Sequence, residues 1–172
     1  ELMALLPRDA ILAVDGQEIL NFARQTIPTY YPGHRLNPGP SGCIGVGVPF
    51  GVAAKVARPE KTVVVLTGDG SFGMNGMEID TAVRHKLPIV VVISNNGGWG
   101  GARRNPRAIG RYLGFPRYDK MAEGLGAWAE YVEEPGDIRP ALERAFCAGQ
   151  PAVVNVITDP VMAVTQDFGD LM

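Results

Sequence analysis

The sequence predicts an α/β domain of three layers, α/β/α, with helices on both faces of a mostly parallel central sheet. Three observations predict it. Four short runs, residues 10–15 (AILAVD), 62–67 (TVVVLT), 89–94 (IVVVIS) and 152–157 (AVVNVI), are rich in β-branched residues and almost continuously apolar, as strands covered on both faces are. Helix-like segments alternate with them. The 22 glycines and 14 prolines gather in residues 31–51, 68–76 and 95–114, which marks long, shaped loops around a site.

Taken in order, residues 1–7 (ELMALLP) read as the tail of a helix begun upstream, so a fragment or a subunit is expected. Helices follow over residues 18–25, 44–57, 76–86, 118–126 and 137–148, with a further short strand over 130–133. A chain of 172 residues suits one domain, here residues 1–172, since a single core is comfortable at roughly 100–200 residues. No internal repeat or linker interrupts it. In an open parallel sheet, ligands bind beyond the carboxyl ends of the strands, so the loops after the strands are where a site is sought.

Composition narrows the partners. The chain is 46% hydrophobic and 20% charged with a formal net charge of −2, which gives no electrostatic reason to expect nucleic acid or an anionic membrane. No apolar run reaches the roughly 18 residues of a membrane span, and the start lacks the basic-then-apolar order of a secretory signal, so a cytoplasmic setting is expected. Cys43 and Cys147 form no metal-ligand spacing and read as core or near-core thiols. His85, near a helix end, reads as solvated. His34, in the irregular loop ahead of residue 40, is weighed as a residue that could face substrate. Arg103, Arg104, Arg107 and Arg111 read first as a solvated loop and second as a site for a carboxylate or for coenzyme A phosphates.

Two loops carry the chemistry. After the second strong strand the chain reads Gly68-Asp69-Gly70-Ser71-Phe72-Gly73. Glycines there let backbone N–H groups close on an anion, and a carboxylate among them is available to a hard cation. Alone, this could be a tight turn with Asp69 as a helix cap. After the next strand the chain reads Asn95-Asn96-Gly97-Gly98-Trp99, with Asn96 27 residues beyond Asp69. One helix and one strand fill that gap, so Asp69 and Asn96 can stand at neighbouring strand ends. A carboxylate, an amide oxygen and a carbonyl suit magnesium, which leaves its other octahedral positions to phosphate oxygens and water.

The pair Gly-Asp-Gly and Asn-Asn at this spacing resembles the signature of the thiamin-diphosphate enzymes, and the fold it implies is the thiamin-diphosphate-binding fold. The resemblance implies that Asp69, Asn96 and the carbonyl of Gly98 hold Mg2+, which clamps the diphosphate of thiamin diphosphate. Residues 42–49 (GCIGVGVP) are similar to the family segment in which the first glycine, Gly42, faces the cofactor's exocyclic amine. The third residue, Ile44, wedges the cofactor into its bent form, where relatives often have methionine; Cys43 lies between them. Asp15-Gly16-Gln17-Glu18 resembles the loop at the far side of the diphosphate. Gly16 and Gln17 are its expected contacts, and Glu18 is less suited because a carboxylate near phosphate is unfavourable unless it faces away. Gly68, Gly70, Ser71 and Phe72 would add backbone N–H groups, aided by the following helix N-terminus, and Trp99 would line the entrance or pin the loop. Glu78 fits a helix-dipole role.

In this family an activating glutamate belongs to a separate pyrimidine-binding domain, and no such domain is recognisable here. The resemblance therefore implies a half-site, inactive alone, completed by a domain of the same longer chain or of a partner subunit in a homo-oligomer, a dimer or tetramer. The loop sequences look most like the acetolactate synthase, oxalyl-CoA decarboxylase and 2-hydroxyacyl-CoA lyase branch, which implies a small 2-oxo acid or an acyl-CoA as substrate. A nicotinamide-dependent oxidoreductase would want Gly-x-Gly-x-x-Gly straight after a strand, which is not found. A non-catalytic cofactor-binding subunit is the other alternative.

Overall fold

The computed structural model describes residues 1–100 and 109–161. Among the described residues six strands form one sheet: β1 (Ile11–Asp15), β2 (Arg35–Leu36), β3 (Val63–Gly68), β4 (Val90–Asn95), β5 (Trp128–Val132) and β6 (Ala152–Ile157). The order across the sheet is β2-β1-β3-β4-β6-β5, and every pairing is parallel. Alternate residues of each strand face opposite sides, and the two cores follow that alternation. Ala13, Val65, Val91 and Val153 pack with Val48, Phe72, Ile79 and Ala122 on one face. Leu12, Val64, Val92 and Val154 pack with Ala23, Ala141 and Leu142 on the other. The predicted three-layer architecture is the observed one.

The helices are α1 (Leu2–Leu5), α2 (Glu18–Thr26), α3 (Gly47–Ala57), α4 (Asp69–Asn75), α5 (Glu78–Arg84), α6 (Tyr118–Gly124) and α7 (Ile138–Cys147). Two differ from the sequence reading. The helix expected from residue 44 begins at Gly47, because Gly45 takes φ +92° in the preceding turn. The single helix expected over 76–86 is preceded by a separate α4, in the stretch read as a glycine loop. Strand β2 was not foreseen, having two residues and no apolar run.

Both cysteines are exposed, which corrects their reading as core thiols: Cys43 sits in a surface turn, and Cys147 is the last residue of α7 on its outward side. Within residues 42–51, Gly45, Gly47, Val48 and Gly51 are buried within this chain. A Cβ at Gly51 would lie 2.4 Å from Val65 Cγ2 and one at Gly47 2.9 Å from Asp15 Cβ. Glycine is thus what lets α3 lie this close to β1 and β3. Among the described residues no helix is long and apolar enough to cross a membrane.

Candidate functional site

The connections from β1 to β2 and from β2 to β3 run to opposite sides of β1, so the chain leaves β1 and β3 in diverging directions. Such a switch point opens a crevice at the carboxyl ends of the two strands. A cavity of about 120 Å³ lies there, bounded by the loops after β1, β3 and β4. The β1 loop supplies Gly16, Gln17 and Glu18; the β3 end supplies Gly68, Asp69, Gly70 and Ser71. Asn96, Gly98 and Trp99 come from the β4 loop, and Ile44 from the turn before α3. The sequence-predicted residues Gly42, Cys43 and Phe72 do not line it. Gly42 and Cys43 are on the exposed side of their turn, while Phe72 is 1% exposed and packs edge-on against Tyr118 at 4.9 Å.

Backbone geometry sets the walls. Gly16 has φ +115°, and a Cβ there would stand 3.2 Å from the Gly68 nitrogen, so the β1 and β3 loops meet backbone to backbone. Gly70 lies under the Trp99 indole: a Cβ would meet three ring atoms at 2.9–3.1 Å. Trp99 is itself held by its backbone N–H donating to the Arg111 carbonyl at 2.8 Å, and the Leu113 backbone N–H donates to the Gly97 carbonyl at 2.9 Å.

Asp69 is 3% exposed. Its Oδ1 accepts the Gly70 N–H at 2.8 Å, but its Oδ2 is buried with no hydrogen-bond partner. Burial pushes its carboxyl up to about 6, against the pull of the Gly70, Gly98 and Gly97 N–H groups. A carboxylate with one buried oxygen left unpartnered favours a proton or a cation at that oxygen. Among the described residues no three His, Cys, Asp or Glu side chains cluster as metal ligands, so a cation here would draw on amide and backbone oxygens beside Asp69. Asn96 Nδ2 donates to Glu18 Oε2 at 2.8 Å, and Asn96 Oδ1 accepts the Gly98 N–H at 3.3 Å. Glu18 is thereby turned towards an amide.

Two supports of this site have no assigned role in the sequence reading. Asp15 is fully buried, and its Oδ2 accepts the N–H groups of Gly45 and Gly47, each at 2.8 Å. That carboxylate ties the turn carrying Ile44 to the end of β1. Behind the β4 loop, Asn95 Nδ2 donates to the Pro116 carbonyl at 3.1 Å and to Asn155 Oδ1 at 3.2 Å, and Asn155 Nδ2 donates to Asp119 Oδ1 at 3.3 Å. Burial raises the Asp119 carboxyl, but the Arg117 and Asn155 hydrogen bonds together hold it below its ordinary value. The signal for Asp15 and Asn155 was a polar residue inside an otherwise apolar strand run.

The other polar candidates separate. The His34 carbonyl accepts the Leu12 N–H, which puts His34 beside the amino-terminal half of β1, away from the cavity; the expectation that it could face substrate fails because β2 runs parallel to β1. His85 is exposed at the end of α5, and Glu78 is in that helix's first turn. Arg111 is exposed, and Arg103, Arg104 and Arg107 lie outside the described residues.

The family described as "Thiamine pyrophosphate enzyme, C-terminal TPP binding domain" matches residues 16–156; thiamine pyrophosphate and thiamin diphosphate are one compound. A probable acetolactate synthase of Mycobacterium bovis is 47% identical over 169 residues, covering 95% of this chain and 31% of the relative. A 2-hydroxyacyl-CoA lyase of Oryza sativa is 40% identical, covering 89% of this chain and 30% of that protein. A solved structure of a thiamine diphosphate-dependent 4-hydroxybenzoylformate decarboxylase from Rhodococcus jostii superposes with a TM-score of 0.84 at 27% identity, covering 92% of this chain and 31% of that one. The chain thus spans about a third of the length of the relatives it matches. With its fold and the match over 16–156 agreeing, this chain belongs to the family of C-terminal cofactor-binding domains of the thiamine pyrophosphate enzymes.

Proposed function

We propose that this chain holds the diphosphate end of thiamin diphosphate through Mg2+, within an enzyme that makes or breaks a carbon–carbon bond next to a carbonyl. The observation that carries the reading is the buried Asp69 with an unpartnered Oδ2, placed in one cavity with Asn96 and Gly98. A carboxylate, an amide oxygen and a backbone carbonyl form the hard, all-oxygen donor set that Mg2+ takes, so the residues fit the ion. Asp69, Asn96 and the Gly98 carbonyl would hold it. Gly16, Gly68 and the Ser71 hydroxyl, with the Gln17 amide, are the polar groups available to phosphate oxygens; the Gly70 N–H is already given to Asp69 Oδ1, and Phe72 would offer only its backbone. Trp99 closes the lip over Gly70, and Ile44 gives the cavity an apolar wall. Gly42 and Cys43, on the exposed side of the same turn, are proposed contacts for the part of the cofactor that extends away from this domain. When bound, thiamin diphosphate supplies a thiazolium carbanion and an electron sink for chemistry at a carbonyl carbon.

The whole enzyme is proposed to be acetolactate-synthase-like, decarboxylating and joining 2-oxo acids, on the strength of the 47% relative. The 40% relative favours a second reading, a 2-hydroxyacyl-CoA lyase; oxalyl-CoA decarboxylase chemistry belongs with it. A pyrimidine-binding domain, in the same longer chain or in a partner subunit of a homo-oligomer, is proposed to supply the activating glutamate. A cytoplasmic setting accords with two exposed unpaired thiols.

Calorimetric titration of the chain with thiamin diphosphate, with and without magnesium, tests the half-site. Binding that needs magnesium is expected; binding indifferent to magnesium, or none, overturns it. Assay of the assembled enzyme with pyruvate against a 2-hydroxyacyl-CoA separates the two activities.

A further inference from the structure

We propose that Glu18 is a positioning residue for the cation: its carboxylate fixes the Asn96 amide so that the nitrogen points to α2 and the oxygen is left for the metal. The proposal rests on the reading of Asp69, Asn96 and Gly98 as magnesium ligands.

A side-chain amide has two nearly isosteric ends, of which only the oxygen can bind a cation. Something must therefore choose between two orientations of Asn96 that differ by half a turn. An ionised carboxylate accepts hydrogen bonds and cannot donate. Glu18 Oε2 stands 2.8 Å from Asn96 Nδ2, and reversing the amide would bring two acceptor oxygens together at that separation. The charge-assisted bond is the stronger constraint, since the Gly98 N–H reaches Asn96 Oδ1 at 3.3 Å. Glu18 is itself held in place. It is the first residue of α2, directly after a β1 loop whose Gly16 is wedged against Gly68. The same contact explains how a carboxylate can line a phosphate cavity: its charge is directed at an amide hydrogen.

The test uses magnesium and thiamin diphosphate titrated into the full chain by calorimetry, with thermal melting in metal-free buffer as the fold control. Glu18→Asp keeps the charge, and keeps an acidic residue in the first turn of α2, but withdraws the carboxylate by about 1.5 Å, one carbon–carbon bond. Its magnesium-dependent affinity is expected to fall about tenfold or more, as loss of groups that orient metal ligands commonly does. The double variant Glu18→Gln with Asn96→Asp reverses the hydrogen bond. The amide introduced on α2 would donate to the carboxylate introduced in the β4 loop, whose two ends are both oxygen, and affinity is expected to return close to the parent value. If Glu18→Asp binds as the parent does, or if the double variant stays as weak as Glu18→Asp, Glu18 does not orient Asn96. If the parent itself binds without regard to magnesium, the metal site fails and the proposal with it.

Discussion

At Asp69, stability is set against the proposed function. Its carboxyl titrates near 6 in the folded chain against 3.8 for the free group. Between those values the folded form holds more protons than the unfolded, so stability falls as pH rises through the window and stays lower above it. A shift of this size corresponds to about 3 kcal/mol. In metal-free buffer, thermal melts of Asp69→Asn at neutral pH should therefore lie above those of the parent, with the difference shrinking towards about pH 4 as the parent carboxyl takes up its proton. The same variant should show no rise in melting temperature on adding magnesium and thiamin diphosphate, where the parent does. Gly70→Ala is expected to act through Trp99, whose ring a methyl group would strike at about 3 Å. Displacing it should cost about 1–3 kcal/mol, as overpacking does, and weaken magnesium-dependent binding, both measurable by melting and calorimetry. The Asp69–Asn96 pair was legible in the sequence because two motifs and their spacing agreed. Glu18 was seen only as a charge to be kept from phosphate, since a contact across 78 residues leaves no local pattern.

At the scale of elements, strands β1, β3, β4 and β6 were legible because burial on both faces selects continuous β-branched runs. Helix α4 was not, for a reason visible in its composition. Asp69–Asn75 (DGSFGMN) holds two glycines, each disfavouring helix by about 1 kcal/mol against alanine. Its helical form is imposed by neighbours: Trp99 covers Gly70, the Tyr118 hydroxyl stands 2.7 Å from where a Gly73 Cβ would be, and Phe72 is buried in the core. The placement of α3 depends likewise on Asp15. Asp15→Ala would strip the acceptor from the Gly45 and Gly47 N–H groups, at about 1–3 kcal/mol for each one left buried and unpaired. Urea unfolding should show that loss. Asp15→Asn, which retains an oxygen acceptor, should show a smaller one.

For the molecule as a whole, the sheet order decides where everything else goes. The reversal about β1 opens the crevice, and β4, next to β3, brings its asparagine loop to the same place. The three-layer class followed from alternation alone, while strand order did not, because β2 carries too little apolar sequence to announce a pairing. The chain covers about a third of its relatives, and on the proposed half-site the expected outcome is cofactor binding without turnover. Adding a pyrimidine-binding domain from a relative should bring turnover; turnover by this chain alone would refute the half-site. The lip formed by Trp99 over Gly70 also makes the molecule its own optical gauge. Trp128 opens β5 beside Ala152, at the opposite end of the strands. Replacing it with phenylalanine would leave Trp99 as the sole indole in the chain, so that emission would report the filling of the crevice without any added dye.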